Sequence, residues 1–172
     1  MDRIVPPLQP GNNYPAPSGW TRAAVAMGSN LGDRRGHLVF AVARLGEHFQ
    51  RLRVSLTIDT KPVGVAGDQP DFLNAVAVGE TPLAPRALLD TLLAIERDRG
   101  RERPFPGAAR TLDLDLILFG DRIIDEPGLI VPHPRFRERR FVLEPLSQIA
   151  PEIVDPVTGQ TVEELLKAMA NG

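Results

Sequence analysis

The chain is predicted to fold as an α+β domain with a ferredoxin-like β-α-β-β-α-β core, and three observations lead there. Apolar residues alternate with polar ones over 52–59 and 111–119, the period of half-buried strands. Two intervening stretches carry apolar residues at helical spacing, one after Asp33 and one after Pro85. The order of these elements packs two helices against one face of an antiparallel sheet.

Taken in sequence, Arg22 to Met27 is a short apolar run expected to be a strand. Asp33 is placed to cap a helix whose stripe is Leu38, Ala41, Val42, Leu45 and Phe49. Leu52, Val54, Leu56 and Ile58 alternate with Arg53, Ser55, Thr57 and Asp59, which predicts one half-exposed strand. A Gly/Pro/Asp stretch from Pro62 to Asp71 leads into a strand over Phe72–Val78. Pro85 suits the first turn of a second helix, with Leu88, Leu89, Leu92 and Ile95 facing the core. A basic loop from Arg97 to Arg110 precedes the strand Thr111–Phe119. Beyond it are expected a short strand near Arg122–Ile124, a Pro/Arg-rich loop at 132–140, and a final helix capped by Thr161 and Glu164.

The 172 residues suit one domain with its own core. Five prolines precede Trp20, so residues 1–20 read as a flexible Pro-rich extension and 21–172 as the domain. A formal net charge of −2 argues against a protein that coats nucleic acid. The absence of cysteine excludes disulfides, thiolate metal sites and thiol nucleophiles. Nothing in the sequence is apolar enough for a signal peptide or a membrane span, so a cytoplasmic protein with no membrane partner is expected.

Thr111-Leu112-Asp113-Leu114-Asp115-Leu116 alternates strictly. On a strand, Asp113 and Asp115 project from one face, about 7 Å apart at the backbone. Two carboxylates so close repel, and hard divalent cations relieve that repulsion. Magnesium takes one or two protein carboxylates and completes its shell with water and phosphate oxygens. Asp-x-Asp alone fits a solvated strand face better, since exposed carboxylates are the default. Ile117 and Phe119, expected to continue that face, make it apolar beyond the acids and favour a lined pocket.

Arg97, Arg99, Arg101 and Arg103 precede the acidic strand and Arg110 adjoins it. Guanidinium forks match phosphate oxygens, although Arg97 is better explained by a helix end. Gly28-Ser29-Asn30-Leu31-Gly32 reads as a tight turn into a helix, since it lacks the Lys-Ser/Thr of a phosphate loop. Phe72 and Asn74 share a strand face, where a ring and an amide could stack on and hydrogen-bond a flat heterocycle; sheet packing is the better account of Phe72 alone, while Asn74 is unexpected in a strand. His133, held between Pro132 and Pro134, stands before Arg135, Arg137, Arg139 and Arg140.

These stretches resemble a known family. Ala26-Met27-Gly28-Ser29-Asn30-Leu31-Gly32, Asp68-Gln69-Pro70-Asp71-Phe72-Leu73-Asn74-Ala75, Arg110-Thr111-Leu112-Asp113-Leu114-Asp115 and Val131-Pro132-His133 are similar to the signatures of the 6-hydroxymethyl-7,8-dihydropterin pyrophosphokinases of folate biosynthesis. The resemblance runs from about Arg22 to Pro151. It implies a ferredoxin-like core in an αβα sandwich and an enzyme, expected to be a monomer, that transfers pyrophosphate from ATP to a pterin alcohol. It implies that Asp113 and Asp115 hold two Mg2+ ions, and that Thr60, Val63, Phe72, Asn74 and Phe141 form the pterin pocket. Arg101, Arg103, Arg110, His133 and Arg139 match positions contacting phosphates or nucleotide, with Glu96 and Leu116 on the nucleotide side. Arg101, Arg110, Asp113 and Asp115 are the residues expected to carry catalysis.

Two departures stand out. Where family members commonly carry Arg-Trp-Gly-Pro, this chain has Pro104-Phe105-Pro106-Gly107-Ala108-Ala109 and lacks that arginine and tryptophan. Lys61 stands where proline is commoner. The altered loop leaves open a paralogue of the kinase with reduced or redirected activity, and two other classes stand beside it. An RNA-binding module would interleave aromatics on a basic sheet face, whereas aromatics are 5% and two carboxylates lie on that face. A phosphohydrolase of another family could use the same acidic pair.

Overall fold

The runs with strand period form strands and those with helical spacing form helices. The computed structural model describes residues 2–4, 18–62, 68–100 and 108–171. The elements follow as β1 (Thr21–Ser29), α1 (Arg34–Leu45), β2 (Gln50–Val54), β3 (Ile58–Thr60), β4 (Phe72–Thr81) and α2 (Pro85–Asp98). Next come β5 (Asp113–Phe119), β6 (Ile124–Glu126), β7 (Leu129–Val131), α3 (Arg140–Ile149) and α4 (Val162–Asn171). Asp33 caps α1 by accepting from the Gly36 N–H at 3.0 Å, and Thr161 accepts from the Glu164 N–H at 3.1 Å.

The main sheet is antiparallel, in the order β2-β4-β1-β5, with β3 also on β4. The strand expected over Leu52–Asp59 is therefore two strands. Ser55 turns its hydroxyl inward, where it accepts from the Val76 N–H at 2.9 Å. Leu56 and Thr57 pair instead with the chain's own start, through the Arg3–Leu56 bridge and a 2.7 Å bond from the Thr57 N–H to the Asp2 carbonyl. Ile4 is buried in the core beside them. The extension is thus docked at residues 2–4, because a free strand edge offers hydrogen bonds and Ile4 offers apolar surface.

α1 and α2 cover one sheet face, packing Leu38, Leu45, Leu88, Leu92 and Ile95 against Val25, Met27, Leu112, Leu114 and Leu116. α3 and α4 cover the other, packing Val142, Leu143, Leu146 and Leu165 against Ala24, Val76 and Val78. The result is an αβα sandwich with a ferredoxin-like core. α3 is an addition to the elements expected after the 132–140 loop. Its Val142, Leu143, Leu146 and Ile149 have helical spacing, but Pro145 sits inside the helix, where it removes one backbone bond and disguises the period.

One register shift matters for the site. Val25 pairs with Leu116 but Ala24 pairs with Leu118, so Ile117 is an extra residue on β5. Beyond this bulge the alternation inverts. Ile117 stays on the face of the acids, packed under α3, as expected. Phe119 does not continue that face; it turns to the α1/α2 side, while Leu118 goes to the α3/α4 side. An inserted residue in a period-two strand flips every side chain that follows it.

Candidate active site

Directly paired residues of neighbouring strands share a face, so the register assembles the site. Ile58 lies opposite Asn74, Asn74 opposite Gly28, and Gly28 opposite Asp113. Alongside this row, Thr60 pairs with Phe72, and Val76, Ala26 and Asp115 form the next row. Thr60, Phe72, Asn74, Asp113 and Asp115 therefore occupy one face at one end of the sheet. Asn74 on β4 and Asp113 on β5 are about 10 Å apart, two strand spacings across β1. Between them stand Ala26 and Gly28, which keep the floor low. A Cβ on Gly28 would lie 3.2 Å from Asn74 Oδ1 and 3.7 Å from the Phe72 ring.

Asn74 is almost wholly buried, and its amide orientation follows from its partners. Its NH2 donates to Thr60 Oγ1 at 2.8 Å and to the Ile58 carbonyl at 3.3 Å, so the carbonyl oxygen must point toward Gly28. An acceptor is thereby fixed above the glycine, beside the Phe72 ring. Phe141 lies on the same sheet face, packed against the α3/α4 core with Arg139 5.6 Å from its ring centroid. Val63, the remaining residue expected in this pocket, lies outside the described residues, as do Arg101, Arg103 and the loop over 104–107.

Asp113 and Asp115 are both partly exposed, and Arg110 donates to Asp113 Oδ2 at 2.8 Å. Among the described residues no group of three or more His, Cys, Asp or Glu side chains could form a closed metal cage. Two carboxylates on one open face, floored by Ala26 and Gly28, instead fit a hard cation that keeps positions for water and phosphate oxygens. The residues present thus fit magnesium.

The β5 bulge also places the histidine. The His133 N–H donates to the Ile117 carbonyl at 2.9 Å, tying the loop after β7 to the edge of β5. The His133 pKa is pushed below its usual 6.5, first by burial, then by the Arg139 and Arg135 guanidinium groups, with Asp113 pulling the other way. Nδ1 accepts from the Arg135 N–H at 3.2 Å, which suits a neutral ring protonated on Nε2. The folded state binds this proton less readily than the unfolded chain does. Stability is therefore full above pH 6.5 and falls as pH drops through that value toward the folded pKa. His133→Gln is expected to lose less stability than wild type between about pH 7.5 and about pH 5.5. Urea denaturation at the two values checks this, and equal losses would contradict it.

Arg137 and Arg139 are two apart in the basic loop but do different work. Arg137 pairs with Asp155, which is fully buried, and its Nη2 lies 2.9 Å from Asp155 Oδ1. Arg139 remains on the side of His133 and Phe141. Two of the expected residues are not brought to the acid face. Glu96 is buried under α2, where its carboxylate accepts from the Leu114 N–H at 2.9 Å on the edge strand. Leu116 faces the α1/α2 core. Sequence reasoning also missed Asn30, which proves to be fully buried and bonded to segments far along the chain. Its place in a turn motif was visible, but its burial was not.

The αβα sandwich with its ferredoxin-like core thus carries, at one end of the sheet, paired carboxylates on the same face as an aromatic ring and a buried amide. A sequence model described as 7,8-dihydro-6-hydroxymethylpterin-pyrophosphokinase (HPPK) matches residues 24–151, and the chain belongs to that family. The 2-amino-4-hydroxy-6-hydroxymethyldihydropteridine pyrophosphokinase of Pseudomonas aeruginosa is 41% identical over 152 residues, covering 86% of this chain and 91% of its own length. That of Bacillus subtilis is 41% identical over 144 residues, covering 83% and 86%. The fold also matches larger solved chains. An HPPK-DHPS in complex with substrates superposes with a TM-score of 0.67 at 13% identity, over 88% of this chain and 43% of its own. Plasmodium falciparum HPPK-DHPS wild type with pteroate gives 0.69 at 14% identity, with 88% and 43% covered. At that identity the likeness speaks to the fold alone.

Proposed function

We propose that the chain transfers pyrophosphate from ATP to the hydroxymethyl group of 6-hydroxymethyl-7,8-dihydropterin, with magnesium, and releases AMP. The observation that carries this reading is the register placing Thr60, Phe72 and Asn74 on the same sheet face as Asp113 and Asp115, with Gly28 between. The substituent of a pterin seated at Asn74 would extend over Gly28 toward the acids. Family membership supports the choice of substrate and the role in folate biosynthesis.

In this reading Phe72 and Phe141 flank the pterin ring, with Val63 completing the pocket. Asn74 Oδ1 accepts from ring N–H groups while Thr60 holds its NH2. Asp113 and Asp115 would hold two magnesium ions, and magnesium supplies charge neutralisation to a polyphosphate. Arg110 and Arg139 neutralise phosphate oxygens, with Arg101 and Arg103 assigned the same task. Neutral His133 offers its Nε2–H to the nucleotide as a donor. The pterin hydroxyl oxygen forms a bond to the β-phosphorus as the bond to the α–β bridging oxygen breaks. That oxygen leaves with AMP, and the hydroxyl proton passes to solvent. Positioning and electrostatics provide most of the rate. The enzyme works as a monomer in the cytoplasm, where ATP is plentiful.

Nucleotide analysis after incubation with ATP, magnesium and the pterin alcohol tests the reading. AMP should form in step with a pterin diphosphate, and chelation of magnesium should stop both. Phosphate released without pterin would identify a hydrolase instead.

A further inference from the structure

Asn30 follows the last residue of β1 and is fully buried at the open end of the sheet. Its side chain bonds to two segments distant in sequence. Nδ2 donates to Gln69 Oε1 at 3.0 Å and to the Pro70 carbonyl at 3.4 Å. Oδ1 accepts from the Arg110 N–H at 2.7 Å, and the Asn30 backbone N–H donates to the Arg110 carbonyl at 3.1 Å. The first pair fixes the segment that enters β4 just ahead of Phe72 and Asn74. The second fixes the residue whose guanidinium holds Asp113. One amide thus donates toward one segment and accepts from the other. Aspartate could not donate, and alanine could do neither.

We propose that Asn30 is a positioning residue that clasps the segment leading to Phe72 and Asn74 to the segment leading to Asp113, setting the reach between the two halves of the site. This rests on the proposed reaction for its kinetic consequences but not for the clasp itself. A misplacement of about 1 Å between reacting groups costs on the order of a hundredfold in rate. Loosening only the Gln69 side should weaken pterin binding, whereas losing both sides should also slow turnover.

The test compares Asn30→Ala, Gln69→Ala and the Asn30→Ala/Gln69→Ala double variant. Gln69 is not buried, so Gln69→Ala keeps the test open if Asn30→Ala folds poorly. Gln69→Ala should raise the pterin KM about fivefold with kcat within about twofold. Asn30→Ala should lower kcat about a hundredfold as well, and the double variant should be no worse than Asn30→Ala. An unchanged pterin KM in Gln69→Ala, or additive effects in the double variant, would overturn the clasp. Hydrogen exchange keeps this separate from the reaction. In Asn30→Ala, peptides over 68–74 and 108–113 should both lose protection, even if wild type consumes no pterin. Unchanged exchange in either peptide would overturn the clasp on its own.

Discussion

Replacing Asp113 or Asp115 by alanine is expected to lower kcat by about a thousandfold or more, with the fold retained. The two carboxylates project from one face over the small residues Ala26 and Gly28, at the end of the sheet where Thr60, Phe72 and Asn74 also face. Asp113 is partly exposed, and its ion pair with Arg110 joins neighbours three apart in sequence. Loss of such a pair costs at most about 1 kcal/mol of stability. Catalysis and folding should therefore separate cleanly. Steady-state rates and urea denaturation on the same samples check this. Turnover within about tenfold of wild type would remove the acids from the chemistry.

The largest effect on stability is expected at Asp155. This carboxylate is fully buried and holds Arg137, the Thr158 hydroxyl at 2.8 Å and the Val157 N–H at 3.0 Å. Burial alone would raise its pKa, but the bonds from Arg137, Thr158 and Val157 outweigh burial and hold it below its usual 3.8. Its contribution is thus present above pH 3.8 and is lost as pH falls through the lower folded value. Asp155→Ala leaves the Arg137 guanidinium without its buried partner and should cost about 3 kcal/mol at neutral pH. Asp155→Asn, which keeps an acceptor, should cost less. Because Arg137 anchors the loop bearing His133 and Arg139, the alanine variant should also bind ATP more weakly. Denaturation curves at neutral pH and well below pH 3.8 measure the first effect. A loss below about 0.5 kcal/mol would show that the pair does not brace the loop.

The core strands and first two helices could be read from the sequence because their periods are clean and each element buries one face. The acid pair could be read for the same reason, since alternation alone puts Asp113 and Asp115 together. What escaped depended on distant partners. The split between β2 and β3 depends on residues 2–4, which take the hydrogen bonds of Leu56 and Thr57. The turn of Phe119 away from the acids depends on the bulge at Ile117, whose carbonyl is taken by His133. α3 was hidden by Pro145, although its apolar spacing was present. Arg137 and Arg139 look alike as neighbours in a basic loop, and Asp155 separates their roles from eighteen residues away. Asn30 read as a turn residue because burial and long-range hydrogen bonding leave no local pattern.

Transfer of an intact pyrophosphate group fixes where isotope must appear in the products. ATP labelled separately at the α, β and γ phosphorus would be incubated with magnesium and the pterin alcohol. The β and γ labels should both appear in the pterin product, with the α label left in AMP. A pterin product carrying only the γ label, with ADP as the other product, would contradict the account.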